Sequence, residues 1–126
     1  MSSEPLGILL ISGTHERAHY AFVVAAAASA MGRKVVLFAT NAGCRAVCAD
    51  WSALAESGRD AGLRLRGVAG IGELRDSAVS LGVRLMACEA GLKIEAIDPA
   101  TLMPGVEVVG VASFLEATAG GQLLTL

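Results

Sequence analysis

Apolar residues fall along this chain in two textures: short unbroken runs, and longer stretches spaced at helical intervals. Residues 6–12, LGILLIS, are a continuous run closed by Gly13. A run that is apolar at every position predicts a strand covered on both faces. THERAHYAFVVAAAASAMG, residues 14–32, predicts a helix, with Thr14 as cap, Glu16 in the first turn and Gly32 as the stop. RKVVLFAT, residues 33–40, predicts a second buried strand ending at Asn41, and residues 42–57 predict a helix broken at Gly58. Residues 59–72 are rich in glycine, carry three arginines and hold no sustained period, which predicts a loop. Beyond them the spacing predicts a helix over 73–82, a strand over 83–88 and a short helix over 89–98. A turn follows, bracketed by Pro99 and Pro104; then come a strand over 106–112, a helix over 113–121 and a last strand over 122–126.

Strands that alternate with helices throughout predict one α/β domain over residues 1–126. Its sheet is expected to be mostly parallel and five-stranded, with helices on both faces in a flavodoxin-like layering. In such sheets functional groups gather beyond the carboxyl ends of the strands. Residues 13–15, 41–44 and 88–91 arrive there, so Gly13, Thr14, Asn41, Cys44, Glu89 and Gly91 are candidate pocket residues around Cys88.

Composition sharpens this picture. The chain of 126 residues is 54% hydrophobic but only 4% aromatic, so its core is built from Ala, Val, Leu and Ile. Mean hydropathy is +0.60, yet the longest apolar stretch, residues 21–31, reaches only about half of the ~20 residues a membrane span needs. The surplus apolarity points instead to subunit contacts. Net charge is −2 with both signs scattered, which offers no nucleic-acid footprint. The opening MSSEPLGILL lacks the pattern of a signal peptide, so the expected location is cytoplasmic. Three cysteines, an odd count, argue against a disulfide framework.

Cys88 ends a predicted strand and opens a predicted helix, where backbone N–H groups favour a nucleophilic thiolate. Glu89 opposes that unless it points away. The same position also suits an inert core thiol. Cys44 and Cys48 stand one helical turn apart and fit either a redox or metal pair or simple packing; Cys44, near the end of the second strand, is the one placed to approach Cys88. HERAH, residues 15–19, matches a zinc-protease pattern in which His15 and His19 hold zinc and Glu16 acts as base. Its place directly after a strand, with no third histidine in the chain, speaks against a protease. His15 has a second possible role at the strand-to-helix turn, supporting a thiolate or persulfide on Cys88. The glycines of residues 67–72 do not form a nucleotide fingerprint. Ser12 to Thr14, SGT, offers a weak anion site at a helix start. Arg64, Arg66 and Arg75 either border the site or form a solvated face.

LGVRLMACEAGL followed by PGVEVVGVASFLEA resembles the DsrE/DsrF-like family of small sulfur-relay proteins, in which a GV-x-x-x-AC strand precedes a V-x-x-GVA-x-FL turn. SGTHERA and MGRKVVLFAT fit the front half, and the resemblance is weakest over residues 59–72. It implies a compact, mostly parallel α/β domain and a homo-oligomer, a trimer or hexamer rather than a monomer. It also implies that Cys88 accepts sulfane sulfur as a persulfide and passes it on, with sulfur donor and acceptor proteins as partners and no cofactor. After the cysteine this chain has EAGLKIEA, where close relatives often carry a Met/Ser-rich stretch. A homo-oligomeric module that binds a small ligand or partner without catalysis is the alternative on the same fold.

Overall fold

The structure is a computed structural model that describes residues 4–126; the first three residues of the opening stretch lie outside the described residues. The strands are β1 (Leu6–Leu10), β2 (Val35–Ala39), β3 (Arg84–Cys88), β4 (Glu107–Val109) and β5 (Gln122–Thr125). They form one sheet in the order β4-β3-β2-β1-β5, and every neighbouring pair is parallel. The helices are α1 (His15–Ala30), α2 (Arg59–Leu65), α3 (Ile71–Ser80), α4 (Glu89–Ile94) and α5 (Val111–Ala117).

Chain order and handedness decide which face each helix covers. From β1 to β4 the chain steps across the sheet in one direction, and right-handed crossovers keep the intervening helices on one side. The return from β4 to β5 runs the other way, so α5 lands on the opposite face. The side chains report both layers. Ile8, Leu10, Leu37, Leu85 and Ala87 point into a core with Ala18, Ala21, Phe22 and Ala25 of α1. Val36, Phe38 and Met86 point the other way, beneath Phe114 of α5. Small residues on α1 let it lie close to the sheet, as the alanine-rich composition requires. Gly7 serves the second layer in the same way: a Cβ there would meet Thr118 Cγ2 at 2.8 Å and Phe114 Cζ at 3.0 Å.

Three sequence expectations need correction. The helix expected over 42–57 is a 3-10 turn over Asn41–Val47, after which the chain is extended at Cys48 and irregular. Tertiary backbone bonds win there: the Met103 N–H donates to the Val47 carbonyl, the Ala49 N–H to Thr101, and the Ala55 N–H to Gly13. The loop expected over 59–72 contains α2, whose seven residues are too few to show a period. It ends at Leu65, and Gly67 beyond its cap adopts a φ of +79° while its N–H and that of Val68 return to the Arg64 and Leu63 carbonyls. The strand expected over 106–112 shortens to three residues, because α5 already begins at Val111. Among the described residues no helix is long and apolar enough to cross a membrane.

Candidate functional site

The carboxyl ends of β1, β2 and β3 bring the three expected segments into contact. A Cβ on Gly13 would collide with Ala42, and one on Gly91 with the backbone N of Asn41. Asn41 itself turns the chain with a φ of +50°. Glycine at 91 therefore lets the start of α4 sit against the turn that follows β2. Thr14 caps α1 by accepting from the Arg17 amide, and its hydroxyl pairs with that of Ser12 at 3.0 Å, so this turn satisfies itself.

Cys88 is the last residue of β3 and the cap of α4. Its Sγ accepts the Gly91 N–H at 3.4 Å. The side chain projects to the α5 face and packs beside Val109 and the second core cluster, yet it stays partly exposed. Glu89 is drawn along the helix toward Lys93, 3.7 Å from its ammonium, so its charge is partly matched one turn away.

The other two thiols differ. Cys44 is fully buried in the α1-side core, and its Sγ donates to the Ala39 carbonyl at 3.5 Å. Burial pushes this thiol up to about 12, even though the Cys88 amide donates to it. The two sulfurs thus flank the end of β3 from opposite layers. Cys48 is buried, and its thiol donates to the Cys44 carbonyl at 3.5 Å. All three cysteines are free.

His15 does not meet Cys88. The turn from β1 into α1 carries its ring into the α1-side layer, whereas alternation along β3 sends Cys88 to the other side. There the His15 Nε2 pairs with Asp60 Oδ1 at 2.8 Å, in full burial. Burial alone would raise the Asp60 carboxyl. The bonds it accepts from His15 and the Ile71 amide, with the nearby imidazoles, outweigh that and hold it below the usual carboxylate range. His19 stacks on His15 with ring centroids 5.6 Å apart and points its Nε2 at the Ala69 carbonyl. Glu16 is exposed and lies 3.7 Å from Arg59. Among the described residues no group of three His, Cys, Asp or Glu side chains is placed to hold a metal ion, and the two histidines of HERAH spend their Nε2 atoms on Asp60 and on the Ala69 carbonyl.

Arg75 does not form part of a solvated face. It is buried, and its guanidinium donates to the carbonyls of Ala46, Cys48 and Ala49, tying α3 to the chain after the 3-10 turn. Asp60 and Trp51, which frame the histidines, carried no signal in the sequence: Asp60 lies 45 residues from His15 along the chain.

Comparison with known proteins adds the lineage. No curated protein matches the chain. Among solved structures, the ychN protein from E. coli superposes with a TM-score of 0.73 over 98% of this chain and 99% of its own, at 15% identity. MTH1491 from Methanobacterium thermoautotrophicum, a protein of unknown function, superposes with a TM-score of 0.65 over 98% and 100%, at 17% identity. At such identities the likeness establishes the fold. The family described as DsrE/DsrF/DrsH-like matches residues 59–124, a stretch that runs from α2 through Cys88 and α5 into β5. Because that match takes in more than half of the chain, and the cysteine strand and the strand-to-helix turn with it, the chain belongs to the DsrE/DsrF/DrsH-like family.

Proposed function

We propose that this protein is a cytoplasmic sulfur-transfer protein that carries sulfane sulfur as a persulfide on Cys88. The observation that carries the reading is the contrast among its thiols: Cys44 and Cys48 are buried, and Cys88 alone is partly open, with a backbone N–H at its sulfur. A backbone donor at that position favours negative charge on sulfur. The Cys88 thiolate attacks the outer sulfur of a donor persulfide, forms Cys88–S–SH and releases the donor thiol. An acceptor thiolate then attacks the outer sulfur, takes it as its own persulfide and returns the Cys88 thiolate. Each step is a thiol–persulfide exchange and needs no external oxidant or cofactor. The assembly in this reading is a homo-oligomer, a trimer or hexamer, in which a second copy covers the apolar surface beside Cys88.

Intact mass after treatment with glutathione persulfide tests the assignment. The expected result is a gain of one sulfur in the wild type and in Cys44→Ser, and none in Cys88→Ser. A gain that persists in Cys88→Ser removes that residue from the role. No gain in the wild type, together with slow alkylation of Cys88, would favour the non-catalytic binding module. The exposed Val111 and Leu115 of α5 would then be the main functional surface.

A further inference from the structure

The register of the sheet places a hydroxyl beside Cys88 that thiol exchange alone leaves unused. β2 and β3 run in step from the Val36–Arg84 pair to the Ala39–Ala87 pair. One residue beyond that last pair stand Thr40 and Cys88. Thr40 keeps an extended backbone, with φ −138° and ψ 159°, and its N–H still donates to the Leu10 carbonyl of β1 at 2.9 Å. Alternation therefore runs on through it. Val36 and Phe38 lie on the α5 face with Met86 and Cys88, and Thr40 follows them there. Val109 stands on the other side of Cys88 in the same row, so Thr40 is the polar neighbour of the sulfur.

The hydroxyl is scarcely committed to the fold. Thr40 occupies the cap position of the 3-10 turn over Asn41–Val47, yet its side chain makes no capping bond. Its one side-chain partner among the described residues is Asn41 Oδ1, to which it donates at 3.4 Å, a long bond between chain neighbours. A valine would serve a strand end equally well. Gly91 meets both groups. A Cβ on it would stand 2.7 Å from Thr40 Oγ1, and its N–H donates to Cys88 Sγ at 3.4 Å. The bare glycine thus holds one donor at the sulfur and leaves the hydroxyl beside it uncovered.

We propose that Thr40 is the hydrogen-bond donor that holds the outer sulfur of the Cys88 persulfide. This role rests on the persulfide reading of Cys88 and adds a second residue to it. Before loading, the hydroxyl bonds to Asn41 and not to Sγ. Neighbouring strands lie about 4.8 Å apart, and an S–S bond of about 2.05 Å carries the added sulfur across part of that gap. Loading from glutathione persulfide is a single exchange. The Cys88 thiolate bonds to the outer sulfur, the donor's S–S bond breaks, and the proton of the transferred sulfur passes to the departing glutathione thiolate. Cys88–S–S⁻ and glutathione thiol remain. The negative charge has then moved from Sγ, which the Gly91 N–H serves, to the outer sulfur, and the Thr40 O–H turns from Asn41 to meet it. A hydrogen bond to a charged acceptor is stronger than the long neutral bond it replaces, so Thr40 favours the loaded state.

The full chain is equilibrated with mixtures of glutathione persulfide and glutathione, and intact mass reads the loaded fraction. The partition of sulfur between Cys88 and glutathione is expected to fall about fivefold or more in Thr40→Val, which loses a donor to a charged group. It should stay within about twofold of wild type in Thr40→Ser, which keeps the hydroxyl. Alkylation of unloaded Cys88 by iodoacetamide is the readout that a packing role would move, and it should run at the same rate in all three proteins. Equal partition in wild type and Thr40→Val overturns the role of Thr40 and leaves the persulfide reading standing. So does a Thr40→Ser partition as low as that of Thr40→Val, or an alkylation rate that changes as much as the partition does. A wild type that takes up no sulfur at any ratio overturns the persulfide reading, and the role of Thr40 with it.

Discussion

Cys44 and Cys88 show how two thiols on either side of one strand end acquire opposite chemistry. The Cys88 amide donates to the Cys44 sulfur, while the Cys88 sulfur leans out of the other layer toward the Gly91 amide. Alternation along β3 turns Cys88 to the open face, while the 3-10 turn after β2 holds Cys44 in the core. Asp60 shows the same dependence on placement. Removing it with Asp60→Ala strips the partner from His15 Nε2 and the Ile71 N–H inside the core. The expected loss is about 3–5 kcal/mol, the cost of breaking a buried pair from one side, measured by urea unfolding. The pH dependence has a definite sign. The folded carboxyl titrates below its ordinary 3.8, so its stabilisation is present above that value and is lost as pH falls through the lowered one. Acid unfolding curves below pH ~4 should therefore be flatter for Asp60→Asn than for the wild type; parallel curves would deny Asp60 this role. His15 and Cys88 were both legible as candidates from their positions after strands. Asp60 was not, because a contact across 45 residues leaves no local pattern.

At the scale of elements, α5 is the critical piece of the second layer. It is seven residues long, too short to be stable by itself. Phe114 anchors it, fully buried and stacked on Phe38 with ring centroids 5.0 Å apart. Cys88 packs against the same cluster. Phe114→Ala should cost about 3–5 kcal/mol. It should also speed alkylation of Cys88 while Cys44 stays protected in the other core. Equal alkylation rates at Cys88 in wild type and variant would separate α5 from the cysteine environment. Elements with strong signals were readable: the runs of β1, β2 and β3 and the capped α1 lie within a few residues of their expected ends. The chain after Asn41 was not, because backbone bonds to Gly13, Thr101 and Met103 outweigh a helical spacing that the sequence carries. Neither was α2, which the contact from Asp60 to His15 and Ile71 holds in place.

At the scale of the whole molecule, the two faces of the sheet are covered unequally. The α1 side is closed by several elements, while α5 alone covers the other and leaves Ile11, Val111, Leu115 and Leu123 exposed. Leu115 is 52% exposed and Leu123 53%. Surface of this kind marks an interaction site, and a second copy of the chain is the occupant in the reading given above. Leu115→Lys should shift the protein toward monomer in sedimentation velocity without lowering its unfolding midpoint in dilute solution by more than a few degrees. A wild type that sediments as a monomer at all concentrations would remove the oligomer from the proposal.

The sequence by itself determined the layered α/β architecture, the parallel pairing and the family. These follow from apolar runs, helical spacing and short motifs, all of which are local along the chain. It also placed Cys88 at a strand end. Tertiary structure decided which layer each side chain enters. That sent Cys88 to a thin, partly open face and sent Cys44 into the core. It also turned His15 away from the cysteine toward Asp60 and Trp51. Direction across a sheet depends on register, crossover hand and close backbone approach at glycines such as Gly91 and Gly70, and those are set only when distant segments meet.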